Sequence, residues 1–236
     1  MVFVLVHGAW HGSWCWQRLA PLLQARGAQV LAPTLRGLAE RVSESSADVS
    51  LATHIDEVVE LIEAADLRDV TLVGHSYAGL VIAGVADRVP ARIAKLVFVD
   101  AVIIEPGQRW CDAHPPQEVA ERLARAYAAA GGIPPPDAAR LGLDSDADVA
   151  WVRSRLTPQP LATYTTPLDL QGPFGNGLPK IYIDCRAPAM PGLEAAKQRL
   201  RNDPGWQVVA LEAGHELMLS QPQRLAEALV SASCAS

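Results

Sequence analysis

Residues 71–80, TLVGHSYAGL, carry one serine between two of the smallest side chains, Gly74 two positions before Ser76 and Ala78 two positions after it. An apolar, strand-like run leads into the stretch and a helix-like pattern leads out of it. Small residues at those offsets suit a sharp strand-to-helix turn, where a larger side chain would collide with the returning backbone. Such a turn lifts the hydroxyl clear of a sheet, where it can serve as the nucleophile of acyl transfer. A serine hydroxyl is weak alone. It needs a base to take its proton, an acid to orient that base, and N–H donors where charge develops on the carbonyl oxygen.

The chain offers a partner for each role. In folds built on this elbow the order is serine, acid, histidine. Of six histidines, only His114 and His215 follow Ser76. His114 stands beside Pro115 and Pro116 in a segment without strand character, whereas His215, in LEAGHELML, follows the last strand-like run. Its loop therefore falls on the sheet edge where the elbow emerges. His7 and Gly8 close the first strand-like run in VLVHGAW. The N–H groups of Ala9 and Tyr77 are the expected oxyanion donors, with Gly8 allowing close backbone approach. Two aspartates end strand-like runs downstream of Ser76, Asp100 in LVFVDA and Asp184 in IYID.

Apolar runs alternating with helical patterns imply βαβ units and a parallel sheet. Strands are expected near Phe3–Val6, Gln29–Ala32, Val70–Val73, Leu96–Val99, Ile181–Ile183 and Gln207–Leu211. They lack strict alternation, as strands covered on both faces do. Ile55, Val58, Val59 and Ile62 share one helical face. The rhythm breaks between about Glu105 and Gln171, a stretch rich in Ala and Pro. Helical pieces are expected there over 117–130 and 146–155, with no strand. The expected organisation is a core of 1–104 and 172–236 with a helical cap insertion at 105–171.

At 236 residues the chain suits one α/β domain, and half of it is hydrophobic. A net charge of −6 with no basic run gives nucleic acid or an anionic membrane nothing to hold. The opening MVFVLVHG lacks the pattern of a signal peptide, and no apolar run approaches the length of a membrane span. Cys15, Cys111, Cys185 and Cys234 are widely spaced, which argues against a zinc site and against a disulfide framework. A reduced, cytoplasmic protein with no bound metal is the expectation, and a homodimer remains open.

FVLVHGAWHGSWCW, TLVGHSYAGL, ADRVPARIAKLVFVDA, LTPQPLATY and AGHELMLSQP together resemble the compact α/β-hydrolases grouped with plant methylesterases and hydroxynitrile lyases, most of all their bacterial esterase-like members. The resemblance covers nearly the whole chain, more weakly in the cap. It implies an α/β-hydrolase fold with about six parallel strands, helices on both faces, a small helical cap and no cofactor. The plant relatives carry the triad aspartate after the penultimate strand. Here that loop reads CRAPAMPG, with no carboxylate. The bacterial members carry an aspartate one strand earlier, which favours Asp100 as the acid over Asp184.

The leading expectation is a serine carboxylesterase with Ser76, His215 and Asp100 in those roles. A hydroxynitrile lyase of this group would carry Thr after the strand-ending His and Lys after the catalytic His, where this chain has Gly8 and Glu216. A ligand receptor on the same fold is the non-enzymatic alternative. Gly8, Trp10, His11, Trp110, Trp151 and Tyr164 are the candidate substrate contacts. With no basic cluster beside them, they fit a small, uncharged, lipophilic or aromatic ester.

Overall fold

The computed structural model describes residues 1–129, 131–190 and 192–234. Its strands are β1 (Val2–Val6), β2 (Gln29–Leu31), β3 (Val70–His75), β4 (Ile93–Val99), β5 (Gly132–Ile133), β6 (Gln159–Pro160), β7 (Lys180–Cys185) and β8 (Gln207–Leu211). Its helices are α1 (Ala20–Gln24), α2 (Leu51–Ala64), α3 (Ala78–Arg88), α4 (Pro116–Ala128), α5 (Asp146–Arg153), α6 (Ala162–Thr165), α7 (Glu194–Arg201), α8 (Leu217–Ser220) and α9 (Pro222–Cys234). Six strands form one parallel sheet, as the sequence leads one to expect, and the structure orders them β2-β1-β3-β4-β7-β8.

The two-residue period of a strand sends alternate side chains to opposite faces, and both faces are dry. On one, Val4, Val6, Leu72, Leu96 and Phe98 pack with Ile55, Val58 and Ile62 of α2 and Val81 and Val85 of α3. On the other, Phe3, Leu5, Val73, Val97 and Val99 pack with Leu23 of α1 and Leu225 and Leu229 of α9. Burying each such side chain is worth about 1.5–3 kcal/mol. Helix α2 starts where Ser50 and Thr53 cap one another: each side-chain oxygen accepts the other's backbone N–H.

Between β4 and β7 run α4, α5 and α6, but the segment is not purely helical. Strands β5 and β6 pair antiparallel there, Gly132 opposite Pro160 and Ile133 opposite Gln159. Two-residue strands carry no periodicity, and Pro160 reads as a breaker, so nothing in the pattern announces them. Helix α4 ends at Ala128 and α5 at Arg153, short of the expected 130 and 155; Ala130 itself lies outside the described residues. Among the described residues no helix is long and apolar enough to cross a membrane. Cys15, Cys111 and Cys185 are buried free thiols.

Because the sheet is parallel, the carboxyl ends of β1, β3, β4, β7 and β8 share one edge. The ladder fixes their relative heights: Val6 lies opposite Gly74, His75 opposite Val99, and Asp184 opposite Ala210. Every loop that carries a candidate for the chemistry leaves from this edge.

Candidate active site

From Val70 to Ala86 every residue is buried except Ser76, which is half-exposed. Its φ of +53° lies in the left-handed region that an L side chain enters only at a cost. The turn is held by Ser76 N–H donating to the Val99 carbonyl, and by Gly79 and Val102 N–H donating to the Ser76 carbonyl. A Cβ on Gly74 would stand 2.6 Å from the Ala78 carbonyl oxygen, so helix α3 presses directly on the strand. Gly8 comes as close from β1. A Cβ there would meet His75 Nδ1 at 2.8 Å and Ser76 Cβ at 3.1 Å.

The loop after β1 is pinned by its carbonyls. The Gly8 carbonyl accepts from His7 Nδ1–H at 2.8 Å and from the His11 N–H at 3.4 Å. His7 Nε2 in turn accepts the Leu35 N–H, and burial takes the pKa of this ring down to about 3, so it stays neutral. A trans peptide points its C=O and N–H in opposite directions. Holding the Gly8 carbonyl therefore turns the Ala9 N–H the other way, and holding the Ser76 carbonyl does the same for the Tyr77 N–H. Among the described residues neither N–H has a protein acceptor. The next donor, Trp10 N–H, is taken by Gln159 Oε1 of β6 at 3.0 Å, with Trp10 at φ +66°.

His215 Nδ1 donates to Asp100 Oδ2 at 2.6 Å, both side chains buried. Asp100 follows β4 at φ +43°, which turns its carboxylate over the sheet edge. Burial pushes its pKa up, but His215 and Lys197 outweigh it and hold the group below the usual carboxylate range. Asp184 does not reach the imidazole. One of its oxygens takes Arg186 at 3.0 Å and Arg201 at 2.7 Å, and the other lies 3.3 Å from Lys197. The His215 carbonyl accepts His75 Nε2–H at 3.0 Å, and the two rings lie 4.5 Å apart, so the elbow braces the histidine loop from below. Burial keeps His75 neutral, with its pKa near 3.

Glu216, beside the histidine, is fully buried, with one oxygen 3.3 Å from His11 Nε2. Burial opposes charge on both groups, but their mutual attraction wins. Glu216 is held down to about 2 and stays ionised, and its charge raises the pKa of His11. His11 is buried, with Nδ1–H on the Ala9 carbonyl at 2.7 Å and Nε2 facing Glu216 as an ion pair without a hydrogen bond, so it braces the loop after β1. His75, His215 and Glu216 lie near enough to share a cation, but Asp100 and His11 already hold two of them.

The aromatic candidates divide into two groups. Trp110 is surrounded by Trp10, Tyr77 and Tyr164, with ring centroids 5.1–5.8 Å away. Trp151 lies elsewhere, edge-on to Trp14 at 5.2 Å, under the guanidinium of Arg155. The sequence reading missed Lys197 and the pairing of Glu216 with His11. Lys197 left one signal: it shares a helical stripe with Leu193 and Leu200, three and four residues away, where a lysine is out of place.

Residues 3–228 match the family described as the alpha/beta hydrolase family. A carbendazim-hydrolysing esterase from Nocardioides sp. (strain SG-4G) is 40% identical over 238 residues, spanning 97% of this chain and 98% of that one. Methylesterase 2 of Arabidopsis thaliana is 38% identical over 124 residues, about half of each protein (52% and 45%). Among solved structures, an extracellular alpha/beta-hydrolase from a Paenibacillus species superposes along the full length of both chains, with a TM-score of 0.87 at 25% identity.

Proposed function

The chain belongs to the alpha/beta hydrolase family and is an esterase-type member of it; from that premise we propose that it is a serine carboxylesterase working through an acyl-enzyme. The observation that carries the reading is the 2.6 Å contact between Asp100 and His215 on the edge where Ser76 emerges at positive φ. Ser76 Oγ attacks the ester carbonyl while His215 Nε2 takes its proton. Asp100 accepts Nδ1–H, which fixes the tautomer and stabilises the imidazolium. The N–H groups of Ala9 and Tyr77 receive the oxyanion. The alcohol leaves with the proton from His215, and water, activated by the same base, frees Ser76. The contact between nucleophile and base is often long in a substrate-free site and tightens when substrate binds.

Trp10 of the loop after β1, the cap aromatics Trp110 and Tyr164, and the absence of a basic cluster favour a small, uncharged, lipophilic or aromatic ester, held in the protein without a cofactor. The cap is the 105–171 insertion. Glu216 stands where a lyase of this group would carry a lysine to receive cyanide, and it is held as an anion by His11, which favours the esterase.

A panel of p-nitrophenyl, methyl and aryl esters, with carbendazim added because the 40%-identical relative hydrolyses it, tests the reading. Wild-type protein turns over one or more of these, and pure Ser76→Ala loses all but a few per cent of kcat while staying folded. Activity persisting in that variant removes Ser76 as nucleophile. Enzyme-dependent cyanide release from mandelonitrile marks a lyase, and ligand binding without turnover marks a receptor.

A further inference from the structure

Lys197 is 1% exposed, and its ammonium sits among three oxygens: Asp100 Oδ1 at 2.5 Å, the Cys185 carbonyl at 2.8 Å and Asp184 Oδ1 at 3.3 Å. The ammonium donates to the Cys185 carbonyl and pairs with both carboxylates, most closely with Asp100, while Asp184 Oδ1 pairs with it by charge without a hydrogen bond. Asp100 has two oxygens, and His215 uses only one of them. The other is held by Lys197, with the Cys185 N–H at 3.3 Å beside it. The stem that delivers the charge comes from α7, pinned where Arg201 of the same helix pairs with Asp184 and Glu194.

Resting on the reading of Asp100 as the acid of the site, we propose that Lys197 is its positioning residue: it clamps the carboxylate so that Oδ2 faces His215, and its charge offsets the buried anion.

Two consequences follow from the same geometry. A carboxylate buried without a partner is costly and tends to take up a proton or swing towards water. Lys197 keeps it still, while the bond from His215 to Oδ2 keeps it ionised with or without the lysine. A positive charge on the far side of Asp100 also weakens the carboxylate's pull on the imidazolium that forms during the reaction. Five titratable groups surround His215: Asp100 at the end of β4, Lys197 from α7, Glu216 in its own loop, His11, which reaches it through Glu216, and His75 from β3, which burial keeps neutral. Asp184, with Arg186 and Arg201 on its outer oxygen, adds a second anion behind the lysine.

The arrangement predicts opposite signs for two substitutions. Lys197→Met removes a cation behind the acid, so the imidazolium becomes easier to form. The acid limb of kcat/KM and the His215 titration, followed by side-chain 15N NMR, both move up by on the order of one pH unit. Loss of the clamp lowers kcat about 10- to 100-fold with little change in KM. Asp184→Asn removes an anion and leaves the lysine in place. The same two readouts move down, with kcat within about threefold of wild type.

A lysine that served only to fill space or to hold the helix would move neither titration, and coincident His215 titrations in wild type and Lys197→Met overturn the proposal. If Lys197→Met does not fold, an unchanged or upward shift in Asp184→Asn overturns it instead. The NMR readout does not require turnover. Titrations that shift as described in a protein inactive on every ester retain the clamp and discard the esterase, while turnover with unmoved titrations does the reverse.

Discussion

Asp100→Asn preserves the shape of the acid but offers an N–H or a neutral oxygen where Nδ1–H needs a carboxylate. The variant is expected to lose on the order of 10³–10⁴ in kcat, measured on the best ester of the panel with the fold checked by circular dichroism. A second ion pair answers to pH rather than to substrate. The pKa of Glu216 is depressed, so its contribution to stability is present above the ordinary carboxylate range and lost as pH falls towards about 2. The pKa of His11 is raised, so its contribution is present below the ordinary histidine range and lost as pH rises through the raised value. Thermal midpoints recorded from pH 5 to 10 should therefore decline on the alkaline side. Glu216→Gln should flatten that decline and cost about 3–5 kcal/mol near neutrality, because it strands a buried histidine. At this scale the sequence was readable where a residue's role is local. The turn at Ser76 announces itself by its small neighbours, and the loop that carries His215 by its place after the last strand. Lys197 and Glu216 were hidden because their meaning depends on partners brought in from β4, β7 and the loop after β1.

The elements matter through how closely their ends approach. The elbow and the loop after β1 touch at Gly8, where a methyl group would press on His75 and Ser76 together. Gly8→Ala must push either Ser76, the proposed nucleophile, or the Ala9 N–H out of line. Losing one oxyanion donor typically costs about 10²–10³ in kcat, and the variant should fall in that range with KM less affected, as steady-state kinetics would reveal. Glycine at this position was legible as a need for close approach, and so were the six strands, whose apolar runs are long enough to outweigh ambiguous ends. Strands β5 and β6 were not legible. Their pairing is imposed from outside, by Gln159 reaching Trp10 N–H and by the Trp10 indole N–H reaching the Ile133 carbonyl.

Across the whole molecule, the segment between β4 and β7 meets the histidine loop at a point with no slack. A Cβ on Gly214 would lie 1.9 Å from the Gly142 carbonyl oxygen, and one on Gly142 would lie 2.9 Å from His215 N. Gly214→Ala should strain both loops by about 1–3 kcal/mol, lowering Tm by roughly 2–10 °C and reducing kcat, which calorimetry and ester kinetics can check together. Such contacts join residues far apart in the chain, and no local pattern encodes them. The placement of Asp100 has a further consequence of an evolutionary kind. Ser76 and Asp100, the proposed nucleophile and acid, directly follow the neighbouring strands β3 and β4, which one ladder locks together, so on that reading the loop after β7 supplies no proton-handling group. Selection for chemistry then bears only lightly on that loop. Residues 187–190 then answer to packing instead: Ala187 N–H holds the Ala213 carbonyl below the histidine loop and Met190 packs on the core, while α7 must still deliver Lys197.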